Sequence, residues 1–487
     1  MNNKIKVTFD DSRSLEVYYK TKAIDVVKMV EGDTSDILAL NINNELRSYD
    51  YELVTNSIIK FVKYNSPDGY RVYSGTLKMV LYMALTSLFS NTDVEFIATI
   101  KKDQYFMINN IKITDEKVQK IKEKMQEIID KDFPITKKVV PIEEATVLYT
   151  AANNLDILKN IDNKLKSYVT MYFCDGMYNN FSTILAPSTG YIKKFDIRRY
   201  KDGLVLMLPD ENGNIKEEIK SVSLYDAYME FNKLNNTFGL STIGDLNRNI
   251  LQGKTNDIIQ VAEAIHDRKL VELVQDIEKR KNIKMVLIAG PSSSGKTTFS
   301  QKLEDGLKIV GKRAIHISMD NYFHDLEKIP VVDGKKDYES INNLDLKLFS
   351  IQMNSLLNGN SVRVPEYNFK CSKKEFNNNN VLYMSKNDIL IIEGIHALNP
   401  KVHKLINAKS FKIYLAPLVT LGLDHFTKVS SNDTRLIRRI VRDSDTRGVS
   451  PEDTLSNWKK VLDGERKNIF PYVNLADAIF NTNLVYE

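Results

Sequence analysis

The chain has 487 residues, too many for one ordinary hydrophobic core, so two to four domains are expected. Hydrophobic residues make up 43% and charged residues 27%, the balance of a globular protein and not of a disordered or fibrous one. The net charge of +5 is modest for this length and permits a phosphate- or RNA-binding patch without requiring one.

Two cysteines, Cys174 and Cys371, form no CxxC or Cys/His cluster, which argues against a disulfide framework or a structural zinc site. The opening MNNKIKVTFDD has no apolar core of signal-peptide length, and no run of about 18 apolar residues occurs. The expectation is a cytoplasmic protein with no membrane span.

Residues 4–9 and 14–18 flank a polar turn and predict a hairpin. A short helix follows, with Thr21 as its expected N-cap. Strands are expected over 37–42 and 57–62, which makes the first sixty residues a small α+β unit. Residues 75–89 are apolar nearly all round and predict a buried helix. A charged amphipathic helix is expected over 117–130, and strands dominate 167–208, with turns at Pro187, Gly190 and Gly203. Residues 220–280 read as mainly helical and charged, and Asn377–Asn380 as a loop tip. From Lys284 onward, apolar strands alternate with helices, the signature of a parallel α/β sheet.

The chemistry begins at the apolar strand Met285–Ala289. Gly290, Pro291, Ser292, Ser293, Ser294, Gly295, Lys296 and Thr297 follow at once, then Thr298 and a helix expected over 299–310. Strand, glycine-bounded loop and helix in this order form a Walker A phosphate loop. The glycines let backbone N–H groups curl around phosphate oxygens, and the helix N-terminus adds a positive dipole end. Lys296 is expected to reach the β- and γ-phosphates of ATP, and Thr297 to ligate Mg²⁺. A second apolar strand, 388–392, ends in Glu393, a further candidate for holding Mg²⁺.

Between them, a strand over 313–318 delivers Met319–Phe323. Asp320 is the candidate base for an attacking hydroxyl, and Tyr322 and Phe323 are candidate acceptor contacts. Residues 434–443 predict a helix with Arg435, Arg439 and Arg442 on one face, and Arg447 lies just beyond. Such a face can neutralise charge on a transferring phosphoryl group.

GPSSSGKTT, SMDNYF, VPEYNF, IIEGIHALNP and RLIRRIVRDSDTRG together resemble the uridine kinase and phosphoribulokinase family, over about residues 283–487. The resemblance implies that Asp320 is the catalytic base. It makes Tyr367 a nucleoside contact and Arg439, Arg442 and Arg447 lid and acceptor-site arginines. An acid in KKDYES, either Asp337 or Glu339, would bind ribose hydroxyls. Two departures stand out. Ser372 occupies a position where uridine kinases carry a histidine, and Val449 replaces the last lid arginine.

The first half resembles the N-terminal region of threonyl-tRNA synthetases, through SPDGYRVY, ALTSLF and APSTGYIKKF. Residues 1–63 look like a TGS β-grasp domain, and 64–220 like the synthetase's second additional domain, which edits mischarged tRNA. Residues 221–280 would be a helical connector, and 281–487 a P-loop kinase with a parallel sheet flanked by helices. This pairing is itself an arrangement known among bacterial proteins. Gly75, Met79, Phe181 and Leu185 stand where the editing domain carries its His, His, Cys and His, so neither zinc nor editing is expected.

The leading expectation is therefore an ATP- and Mg²⁺-dependent kinase that phosphorylates the 5′-hydroxyl of a uridine- or cytidine-like nucleoside. The alternatives are another small acceptor, such as a sugar phosphate, or an RNA- or ribosome-associated nucleotide-binding regulator. RNA contact through the N-terminal half stays open, and no NKxD guanine-reading motif follows the phosphate loop.

Overall fold

The computed structural model describes residues 4–90, 92–161, 167–217, 219, 223–329, 331–332, 335–369 and 371–487. The chain forms two compact units. The first comprises residues 1–220, 240–248 and 422–428, and the second 221–239, 249–421 and 429–487.

The first unit begins with the expected hairpin, Lys4–Phe9 against Ser14–Tyr18, antiparallel with Ile5 opposite Val17. Lys4–Phe9 also pairs in parallel with Ser57–Lys63, which in turn pairs antiparallel with Ile37–Ile42. The helix Ala23–Val30 contributes Ala23, Val26 and Val27 to the core of this five-stranded sheet. Thr21 does not cap that helix. Its hydroxyl donates to the Tyr18 carbonyl at 2.7 Å, while the amides of Ala23 and Ile24 find the carbonyls of Tyr51 and Tyr49. The helix start is thus satisfied by a distant turn, Tyr49–Tyr51, which removes the need for a local cap.

The buried helix runs over Pro67–Leu88, eight residues longer at its start than its apolar stretch indicates. Ser66 caps it, accepting from the Gly69 amide at 3.0 Å, and Pro67 occupies the first turn, where a missing N–H costs nothing. It packs with the helix Asp115–Asp130 and with an antiparallel sheet of four strands in the order 196–200, 203–207, 103–108, 94–100. Gly75, Met79, Phe181 and Leu185 lie in this apolar core. Met79 is fully buried, Phe181 and Leu185 nearly so, and a Cβ on Gly75 would meet Thr183 Cγ2 at 2.6 Å and Leu185 Cδ2 at 2.9 Å.

Residues 422–428 belong to this unit although they lie far along the chain. The Phe96 amide donates to the His425 carbonyl at 2.8 Å, the Lys78 ammonium to the Phe426 carbonyl at 2.7 Å, and the His425 amide to Asp156 at 2.7 Å. The Phe426 ring meets Tyr82 edge-on at 5.6 Å.

The second unit holds a five-stranded parallel sheet in the order Ala314–Ser318, Ile389–Glu393, Met285–Ala289, Ser410–Ala416, Ala478–Asn481. All five residues of Met285–Ala289 are buried, as a strand covered on both faces requires. The helices Lys296–Ile309 and Thr255–Lys279 cover one face through Phe299, Leu303, Leu307, Leu273, Val274 and Ile277. They approach closely at Gly306, where a Cβ would stand 2.8 Å from Val274.

Candidate active site

Three neighbouring parallel strands end at one edge of the second unit's sheet, where ligands of such sheets bind. Met285–Ala289, the middle strand of the five, delivers the loop Gly290–Gly295. Gly295 adopts φ +79° as the helix N-cap, a conformation that other residues resist, so the helix begins at Lys296 and not three residues later as its apolar pattern indicates. At Gly290 a Cβ would stand 2.5 Å from the Leu415 carbonyl and 2.6 Å from Ser294 Oγ. The Lys296 ammonium donates to the carbonyls of Gly290 and Pro291 at 3.1 and 3.2 Å. Burial lowers its pKa, against the pull of Glu393 and Asp320. The hydroxyls of Ser293 and Ser294 are buried with no hydrogen-bond partner among the described residues.

The second strand ends in Glu393, one residue later than its apolar run suggests. Thr297 Oγ1 donates to Glu393 Oε1 at 3.5 Å. Burial pushes the Glu393 pKa up and Asp320 adds to the rise, while Lys296 and hydrogen bonds from Ser318 and Thr297 oppose it. Glu393 and Thr297 fit Mg²⁺, a hard cation that uses one or two protein oxygens and completes its shell with phosphate and water. Among the described residues no group of three or more His, Cys, Asp or Glu could hold a metal ion by itself.

The third strand leads into a 3-10 turn, Met319–Tyr322. Residues three apart eclipse in such a turn. Met319 and Tyr322 accordingly face inward, each 1% exposed, and Asp320 is left partly open. Tyr322 is thereby corrected from an acceptor contact to a core residue: its hydroxyl donates to Gln352 at 2.7 Å and its ring meets Phe349 edge-on at 5.0 Å. The Asp320 carboxylate accepts no hydrogen bond among the described residues and lies within electrostatic reach of Lys296, Glu393, Glu339 and Arg447.

Phe323 and Tyr367 do come together, at 5.6 Å between ring centroids, and Phe369 completes a trio at 5.1 Å from Tyr367. The Tyr367 amide donates to Asn321 at 3.2 Å, which ties this aromatic group to the Asp320 turn. The Arg447 guanidinium lies 4.3 Å from the Phe369 ring centroid. Ser372 stands beside the Tyr367 hydroxyl and partly offsets the rise that burial imposes on the phenol.

The two acids of KKDYES separate cleanly. Asp337 accepts the Glu339 amide at 3.0 Å and serves its own loop. Glu339 is enclosed, its pKa pushed up to about 7 mainly by burial, and it feels Arg439, Asp320 and Lys296. Glu339 thus joins the site, and Asp337 does not.

The arginine-bearing helix, Ser431–Arg442, starts at a Ser430 cap. Arg439 Nη1 donates to the Ser292 hydroxyl of the phosphate loop at 2.9 Å. Arg435, on the same face, is 2% exposed; its Nε donates to the Ser292 carbonyl at 3.1 Å and its terminal nitrogens to Glu465. Arg442 and Arg447 gather with Arg439 at Asp443. Asp443, Glu465 and Phe369 carry no signal of their own in a sequence reading, although the spacing of 439, 443 and 447 offers one in retrospect.

Residues 285–485 match the model of the Phosphoribulokinase / Uridine kinase family. The C-terminal region is a P-loop kinase domain of that family. Relatives of this domain include an inorganic pyrophosphatase, TTM2, of Arabidopsis thaliana, 34% identical over 178 residues, or 37% of this chain and 22% of the relative. A uridine kinase of Lactobacillus helveticus is 28% identical over 173 residues, covering 35% of this chain and 72% of that one. The chain spans 22% and 24% of the two Arabidopsis pyrophosphatases it matches. Among solved structures, phosphoribulokinase from Rhodobacter spheroides aligns at 19% identity over 42% of this chain and 75% of that one, with a TM-score of 0.29. No helix among the described residues is long and apolar enough to cross a membrane.

Proposed function

We propose that this chain is an ATP-dependent kinase that transfers the γ-phosphoryl group to the 5′-hydroxyl of a nucleoside of the uridine or cytidine type. The observation that carries this reading is the convergence of Asp320, Glu393 and Lys296 at the ends of three adjacent parallel strands. A nucleotide loop alone needs only the lysine. A free carboxylate beside it supplies what a hydroxyl acceptor needs.

In this reading Gly290–Thr298 cradle the phosphates, and Lys296 leaves its two carbonyl partners for the β- and γ-phosphates. Mg²⁺, when bound through Thr297 and Glu393, neutralises charge on the phosphate oxygens. Asp320 accepts the proton of the attacking hydroxyl, and Glu339 holds neighbouring hydroxyls of the acceptor. Phe323, Tyr367 and Phe369 offer faces on which a base or sugar ring can lie. Arg439, Arg442 and Arg447 offset the charge of a loose transition state. The apolar core at Gly75, Met79, Phe181 and Leu185 supports reading the N-terminal half as a synthetase-like platform, made of a TGS-like and an editing-like domain, without editing chemistry.

The test is a panel of nucleosides and sugar phosphates with ADP release as the readout. Uridine- or cytidine-dependent ADP release with formation of the 5′-monophosphate supports the reading. Turnover restricted to sugar phosphates, or tight RNA binding without acceptor-dependent ATP consumption, sinks it.

A further inference from the structure

Asp443 has no role in the chemistry above, yet its residue is only 3% exposed. It caps the helix Ser431–Arg442 and opens a wider turn, Asp443–Arg447, which ends at Gly448 with φ +66°. Its Oδ2 accepts from Arg439 Nε at 3.1 Å. Its Oδ1 accepts from Arg442 Nε at 2.9 Å and Nη2 at 2.6 Å, and Arg447 Nε lies 3.8 Å away. One carboxylate therefore faces three guanidiniums.

Residues 439, 443 and 447 are four apart, so they stack along one side of the helix and its terminal turn. Without an anion between them, three half-buried positive charges would repel and swing apart. Burial already works against the charge on Arg439 and Arg447, and Arg442 adds to the penalty on both. Arg439 is meanwhile held on its other side by the Ser292 hydroxyl. Its guanidinium is thus fixed between Asp443 and the phosphate loop.

We propose that Asp443 is a positioning residue that gathers Arg439, Arg442 and Arg447 into one preorganised positive surface facing the transferring phosphoryl group. This rests on the kinase reading above. Preorganised charge acts on the transition state more than on bound ATP, so the effect falls on kcat.

The experiment is a double-substitution cycle on the full chain: D443N, R439A and the pair. It is read as kcat at saturating ATP and acceptor, with melting temperature as a control. A calorimetric affinity ratio for ADP with aluminium fluoride, a mimic of the transferring phosphoryl group, over ADP alone is measured separately. The expected result is a kcat in D443N lower by roughly tenfold or more, with KM for ATP within about threefold. The pair should fall no more than about twofold below R439A alone. A kcat in D443N within about twofold of the unsubstituted chain overturns the proposal, and so does a strictly additive cycle, the signature of a merely structural residue. Should D443N fail to fold, D443S, which leaves room for water, carries the same expectations. If the unsubstituted chain turns over no acceptor, the kinase reading fails separately and the cycle is read on the affinity ratio. A drop of about fivefold in D443N that disappears on the R439A background then supports the positioning role, and an unchanged or additive ratio overturns it.

Discussion

Arg435 Nη1 donates to Glu465 Oε2 at 2.9 Å, with side chains only 3% and 1% exposed, while Arg435 Nε holds the Ser292 carbonyl of the phosphate loop at 3.1 Å. This buried ion pair, with the bond to Ser292, fastens the helix Ser431–Arg442 to both the loop and the helix Pro451–Asn468. Removing one partner leaves a buried charge unpaired, so Arg435→Met or Glu465→Gln should cost about 3–5 kcal/mol in denaturant unfolding. The double variant R435M/E465L should recover most of that stability. It should still turn over slowly, because the tie to Ser292 is gone. Full activity in the stable double variant would show that the tie is dispensable.

Asp320→Ala should lower turnover by roughly 10²–10⁴-fold, the usual worth of a positioned general base. ATP affinity by calorimetry should change little, since Lys296 and the loop are untouched. Lost ATP binding with turnover intact would contradict the roles assigned to both residues.

Glu339 gives a pH dependence with a definite sign. Its carboxyl is raised from 4.5 to about 7 in the folded chain, so the folded state binds the proton more tightly than the unfolded one. The resulting stability is fully present below pH 4.5 and is lost as pH rises through about 7. Glu339→Gln removes this slope. The stability difference between wild type and variant should change by on the order of 2 kcal/mol between pH 4.5 and 7.5, read by chemical denaturation. Parallel stability curves would place Glu339 in a more hydrated setting.

Gly75→Ala should destabilise the first unit by about 1–3 kcal/mol, because the added methyl meets Thr183 and Leu185 at under 3 Å. Thr183→Ser in the same chain should relieve part of the loss. A neutral Gly75→Ala would mean that the Thr183 segment moves aside freely.

The phosphate-loop strand was legible because a strand buried on both faces shows an unbroken apolar run, here ended at once by Gly290. The helix starts were less so. Ser66 and Ser430 are good caps, but the turns they open carry polar side chains, and an apolar stripe does not mark them. Tyr322 was misplaced because a four-residue 3-10 turn buries every third side chain, a rhythm too short to show in composition. The choice between Asp337 and Glu339 depended on which acid its own loop consumes, a fact of backbone hydrogen bonding. Asp443 was invisible because a carboxylate among arginines reads as an ordinary charged helix face until burial singles it out.

Residues 422–428 fall inside the stretch matched to the kinase family, yet their carbonyls and the Phe426 ring complete the interior of the first unit. During synthesis that unit therefore waits for the ribosome to pass Lys428 before its last pieces are available, long after its own strands have emerged. The two halves cannot be inherited or recombined as beads on a string: a cut between them at the family boundary would take a keystone from one and leave it dangling on the other.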